Sequence, residues 1–198
     1  MILAIDSSIG TAVAVVDRQG TCQASVEVED RRSHAEAVGP LIARALADAT
    51  ATPADISAVV MGVGPGPFTG LRVGMAAAQA FAWARSIPLW PVLSHDSAAW
   101  DLQRETIVAS DARRGEYAIT RYQPQPGRSF ALQKGETELV KKEVLSSAGD
   151  IKGIPVVMLE KVDSCLLARA ALWYIAHEEP LLPAQAVYLR APDVTMPR

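Results

Sequence analysis

The sequence predicts a two-lobed α/β protein whose second lobe is reduced, and three observations carry that expectation. The first part of the chain reads as three short strands followed by helix, strand and helix. A second set of strands begins after the prolines at 88 and 91. At 198 residues and 49% hydrophobic content, the chain can bury a sizeable core. Taken in order, Ile2 to Ile5, Thr11 to Val16 and Gln23 to Val28 are β-branched runs. Ser7-Ser8-Ile9-Gly10 and Arg18-Gln19-Gly20 separate them, which predicts an antiparallel meander. The period then changes. Ser33-His34-Ala35-Glu36 has the form of a capping box, and Val38, Leu41, Ile42, Ala45, Leu46 and Ala49 follow at helical spacing, with Pro40 expected to kink the helix. Ile56 to Val63 is apolar on both alternating faces, as a buried strand requires. A second helix is expected from about Leu71 to Arg85. Further strands are expected at Thr106 to Ser110, Glu116 to Tyr122 and Ile154 to Leu159, then a helix over Cys165 to Ala176 and a last short strand over Ala186 to Arg190. The boundary between lobes falls near Trp100 to Glu105, dividing the chain into 1–103 and 104–198.

Three antiparallel strands followed by helix, strand and helix is the order of the ribonuclease-H-like lobe in the actin, Hsp70 and sugar-kinase superfamily. The opening strand–turn–strand of that lobe wraps phosphates. Asp6, Ser7, Ser8 and Thr11 stand at the corresponding turn here, with the Asp6 carboxylate at a strand end where a metal-bound water would be held. The later loop Gly62-Val63-Gly64-Pro65-Gly66-Pro67-Phe68-Thr69-Gly70-Leu71-Arg72 also resembles a phosphate loop, because glycine permits close backbone approach and the following helix presents amides to an anion. It nevertheless lacks the terminal Gly-Lys-Ser/Thr of a Walker loop and the third glycine of a dinucleotide loop, and its two prolines remove amide donors. The expected role is a rigid strand-to-helix corner.

Composition narrows the function classes. A formal charge of −3 with no extended basic cluster disfavours autonomous nucleic-acid binding. The apolar opening Met1 to Ile5 meets Asp6 at once and lacks a basic leader, so neither a signal peptide nor a membrane span is expected, and the protein is expected to be cytoplasmic. Cys22 and Cys165, far apart and without Cys-x-x-Cys spacing, are read as packing residues. His34, His95 and His177 do not have metal-ligand spacing, so no metal site is expected; His34, in the first turn of a helix, reads as a surface or interface histidine. No nucleophile with an oriented base is evident, no catalytic residue is assigned and no cofactor is expected.

The segments Leu3-Ala4-Ile5-Asp6-Ser7-Ser8, Ser33 to Glu36, the glycine–proline loop, Asp111-Ala112-Arg113-Arg114-Gly115-Glu116-Tyr117 and Ala186 to Arg190 occur in the same order as in the TsaB (YeaZ) family, which this chain resembles over nearly its whole length. The resemblance implies a non-catalytic scaffold and activator of TsaD in the N6-threonylcarbamoylation of adenosine 37 in tRNAs that read codons beginning with adenosine. It implies that the ATPase TsaE joins the assembly, that tRNA is met only through the complex, and that the chain alone forms a homodimer. Family members pair with TsaD through the two helices of the first lobe. On the second helix, Val73, Ala77, Ala80, Phe81 and Ala84 are assigned to the chain's own sheet. Leu71, Met75, Ala78 and Ala82 then join Val38, Leu41, Ile42 and Ala45 of the preceding helix as the partner-binding surface. After the strand ending at Leu159, relatives have a glycine-containing turn where adenosine sits; this chain has Glu160-Lys161-Val162-Asp163, which argues against independent nucleotide binding. The alternative is a nucleotide-dependent kinase or ATPase that uses Asp6 and the Ser7 to Thr11 turn.

Overall fold

The structure, a computed structural model, describes residues 1–28 and 34–190. Its first sheet contains β1 (Ile2–Asp6), β2 (Thr11–Val16), β3 (Cys22–Val28), β4 (Ala58–Gly62) and β5 (Leu89–Val92) in the spatial order β3-β2-β1-β4-β5. β1 pairs antiparallel with β2 and parallel with β4, and β4 pairs parallel with β5. Alternate residues of the central strands feed two separate cores. Leu3, Ile5, Val13, Val15, Val59 and Met61 meet α1 (His34–Asp48) and α2 (Phe68–Arg85). Ile2, Ala4, Ala14, Val16, Ala58 and Val60 meet α3 (Ser164–Ala176) on the opposite face. A sheet covered on both sides explains why β1, β2 and β4 are buried at every position.

The second sheet contains β6 (Thr106–Asp111), β7 (Glu116–Gln123), β8 (Leu132–Gln133), β9 (Glu138–Lys141), β10 (Asp150–Ile151) and β11 (Ile154–Met158). Its order is β10-β11-β6-β7-β8, with β9 also pairing to β7. Although α3 follows these strands in sequence, it packs on the first sheet, and its far end reaches the cluster of Val108, Tyr122 and Phe130 below the second. Asp163 caps α3 by accepting the amides of Cys165 and Leu166 at 2.9 and 3.0 Å.

The predicted elements are present apart from the last strand, and several unpredicted ones appear. Pro91 does not end the first sheet: β5 is its edge strand, where a missing N–H removes no ladder partner from a neighbour. Ser33, and with it the expected capping box, lies outside the described residues. Ala186–Arg190 forms no strand; it runs as an extended strap held by the Val187 amide donating to the Val63 carbonyl at 2.8 Å. Cys22 and Cys165, read as packing residues, are joined as a disulfide between β3 and α3, with Cα atoms 5.6 Å apart. The pairing is set by topology, because α3 returns to the first sheet across a sequence separation of 143.

Candidate functional site

The turn after β1 is buried, and its polar groups are directed inward. Asp6, Ser7, Ser8 and Thr11 are all almost inaccessible. One Asp6 oxygen accepts from the Ser8 amide at 2.8 Å and the Ser8 hydroxyl at 2.6 Å, and the other accepts from the Ser94 hydroxyl. Ser94 in turn accepts the Gly64 amide at 3.0 Å. Burial raises the Asp6 pKa, against the lowering effect of those hydroxyl donors. The Ser7 hydroxyl donates to the Gly70 carbonyl at 2.7 Å and accepts the Gly74 amide at 2.9 Å, so it fastens the first turns of α2. Thr11 shares a 2.7 Å hydrogen bond with His34 Nδ1. His34 is therefore a buried bracket between β2 and α1, and the surface reading of it is corrected.

The glycine–proline loop lies directly on this turn. A Cβ at Gly66 would approach the Ser8 carbonyl oxygen to 2.7 Å, and one at Gly74 would fall on the Ser7 side chain. Close approach of α2 to the turn, rather than space for a phosphate, is what these glycines provide. The turn's partners Ser94, Gly70 and Gly74 lie far from it in the chain, so the turn carries no local signal of them.

A second polar cluster joins the two sheets. In the short helical turn Ser94–Ala98, three successive side chains face three directions. Ser94 reaches Asp6; His95 bonds Thr120 through Nδ1 at 2.8 Å and Ser110 through Nε2 at 2.8 Å; Asp96 accepts from the Tyr122 hydroxyl at 2.7 Å and the Leu93 amide at 3.2 Å. His95 and Ser110 have the reach of a base and a nucleophile. Burial, however, pushes the His95 pKa down to about 3, so the neutral imidazole is a weak proton acceptor and the pair serves as a brace. Burial raises Asp96 to about 7, against the phenol and amide donors. Its folded pKa thus lies above the usual carboxylate value, so the stability it contributes is complete near pH 4 and is lost as pH rises through 7. Tyr122 and Tyr174, the phenols around it, titrate above that window. The expected result is a melting temperature that declines between pH 5 and pH 8 in the parent, with the decline much reduced in Asp96→Asn. Thermal melts across that range check it.

The residues assigned from sequence to the partner surface are instead buried, while Val73, Ala77 and Phe81 do pack, partly buried, against the chain's own core. Val38, Leu41 and Ala45 of α1 and Leu71, Met75, Ala78 and Ala82 of α2 belong to the core under the first sheet, and Ile42 is partly buried against it. None of the seven core residues is available to a partner. Val73, Ala77 and Phe81 are only half-buried, and Ala76, Ala80 and Ala84 are exposed. Trp83 beside them is 89% exposed. On the outer side of α1, Ala43 and Ala47 are exposed as well. Large Leu71 and Met75 fill the sheet-facing groove, while alanine tolerates either environment.

A cleft of about 760 Å³ is lined by Ser8 and Phe68 on one side and by Asp111, Tyr117 and Met158 on the other. Asp111 accepts the Arg113 backbone amide at 2.9 Å and forms an ion pair with Lys142 at 2.9 Å. Among the described residues no group of three His, Cys, Asp or Glu side chains could hold a metal ion, and no helix is long and apolar enough to cross a membrane.

Two sheets, a helix pair on the outer face of the first and a buried polar turn after β1 make up a mixed α/β fold. The family model described as TsaD, tRNA N6-adenosine threonylcarbamoyltransferase, matches residues 26–148. An uncharacterized protein of Mycobacterium tuberculosis is 35% identical over 199 residues, covering 97% of this chain and 92% of its own length. The tRNA threonylcarbamoyladenosine biosynthesis protein TsaB of Bacillus subtilis is 33% identical over 129 residues, which is 64% of this chain and 56% of that protein. YeaZ from Pseudomonas aeruginosa has the same fold, with a TM-score of 0.76 at 22% identity, covering 95% of this chain and 99% of that one. The chain belongs to the family of the matching model.

Proposed function

We propose that this chain is a non-catalytic subunit that binds and activates a TsaD-type transferase in N6-threonylcarbamoylation of adenosine 37 of tRNAs reading codons that begin with adenosine. The observation that carries the reading is the use of the Asp6 to Thr11 turn, whose hydroxyls are occupied in seating α2 and bracing β1. In a kinase of this fold those groups would face phosphate. Here they hold a helix whose outer side carries three exposed alanines and an exposed tryptophan. The proposed partner surface is that side: Ala76, Ala80, Ala84 and Trp83 of α2 with Ala43 and Ala47 of α1. Alanine at a helix crossing lets the axes approach closely, and an exposed indole supplies the large buried area of an interface anchor. Without TsaD, the same face is covered by a second copy in a two-fold dimer. TsaE joins the assembly, and tRNA is reached through the complex, in keeping with a net charge of −3.

The test is co-expression with the TsaD-type protein of the same cell. Ala80→Arg is expected to abolish co-elution and tRNA modification while its melting temperature stays within a few degrees of the parent. A folded Ala80→Arg chain that still co-elutes and supports modification places the interface elsewhere. The kinase or ATPase alternative is separated by calorimetric titration of the isolated chain: affinity for ATP in the low micromolar range, or turnover, overturns the non-catalytic reading.

A further inference from the structure

The cleft has a hinge at its base and a strap beside its mouth. At the base, the turn Ser94–Ala98 links Asp6 of the first sheet to Ser110, Thr120 and Tyr122 of the second. The strap, residues 186–190, is anchored in both lobes. Its Val187 amide donates to Val63, and the Tyr188 ring stacks on Phe68 with centroids 4.8 Å apart. Arg72 Nε donates to the Tyr188 hydroxyl at 2.6 Å, and the Arg72 guanidinium lies 3.6 Å above the Phe68 ring. Two residues later Arg190 donates to the carbonyls of Ala112 and Arg113 at 3.1 and 3.4 Å and pairs with Glu116. The turn it grips is strained: Arg113 and Arg114 both have left-handed backbones, with φ of 62° and 53°. Such conformations in bulky residues persist where neighbours over-determine them, and the Arg190 fork is one such neighbour.

We propose that this strap is a latch that fixes the angle between the lobes, with Tyr188 hooked over the first turn of α2 and Arg190 over the β6–β7 turn. Apart from the single Val187 backbone hydrogen bond and the partly buried Ala186 and Val187, the contacts are side-chain hooks on half-exposed residues rather than a strand ladder, so the strap can be released without unfolding either sheet. Motion after release occurs about the Ser94–Ala98 turn and opens the cleft.

The inference is independent of what binds α1 and α2, and its readout is the distance between lobes. The chain has two cysteines, both in the disulfide, so thiols introduced at Arg44→Cys and Glu143→Cys, exposed positions in the first and second lobes, take nitroxide labels selectively. In the parent, electron–electron dipolar spectroscopy should give one narrow distribution, with any open state on the order of a few per cent. The Tyr188→Ala/Arg190→Ala double variant should shift most of the population to longer distances, and Tyr188→Phe, which keeps the stack, should shift much less. A double-variant distribution that superimposes on the parent, or moves to shorter distances, overturns the latch. If the double variant fails to fold, Arg190→Gln decides alone by the same criterion, because it leaves the Phe68–Tyr188 stack in place.

Discussion

Ala78→Arg is expected to unfold the chain. Ala78 is 0% exposed and sits with Leu71, Met75 and Ala82 in the core that α2 shares with α1 and the first sheet. Replacing its methyl group by a guanidinium on a long stem overpacks that contact and buries a charge with no counter-ion. Together these cost about 4 kcal/mol or more, a large share of a typical domain's stability. Ala80→Arg, two residues along and exposed, should change stability by no more than about 0.5 kcal/mol. Circular dichroism and thermal melts of the two purified variants make the comparison. An Ala78→Arg chain that melts with the parent would mean that the inner face of α2 is wrongly identified.

The contrast shows where sequence and structure part. β1, β2 and β4 were legible because they carry β-branched runs whose burial on both faces leaves a plain apolar signature, whereas β5 was not foreseen. The short β8 and β10, two residues each, are too brief to show a period, and they exist because neighbouring strands offer ladders. α2 was found, but not its rotation. Five apolar residues on one side and four on the other give nearly equal stripes, and alanine carries little directional information. A better signal was available: Gly70 and Gly74 fall on the same side as Leu71 and Met75, and glycine within a helix often marks close packing. Ala186 to Arg190 alternates like a strand, yet it works through Tyr188 and Arg190 as hooks, a role that spacing does not encode. Likewise, nothing in the stretch Ser94-His95-Asp96 announces four buried side-chain contacts to β1, β6 and β7, because their partners lie elsewhere along the chain.

Two helical glycines are expected to respond to substitution with opposite signs, and the reason is what each faces. In a free helix, replacing glycine by alanine is favourable by roughly 0.5–1 kcal/mol, because it reduces the entropy of the unfolded chain. Gly39, on the exposed side of α1, has open space where a Cβ would stand, so Gly39→Ala should realise that gain. Gly74 is buried against the β1–β2 turn, where an added Cβ falls on the Ser7 hydroxyl and comes within 2.9 Å of the Ser7 Cβ. Gly74→Val must either push α2 off the turn or break the hydrogen bonds from the Ser7 hydroxyl to Gly70 and from the Gly74 amide to Ser7. The cost is about 3 kcal/mol or more, a fall of roughly 6–12 °C in melting temperature for a chain of this size. A second variant, Ser7→Ala/Gly74→Ala, removes the oxygen that the new methyl would strike and should recover part of the loss that Gly74→Ala alone incurs. Non-additivity of that sign in a double-mutant cycle ties the effect to the contact between α2 and the turn. Additive losses, or a Gly74→Val chain as stable as the parent, would show that the Asp6 to Thr11 turn is not what seats the helix.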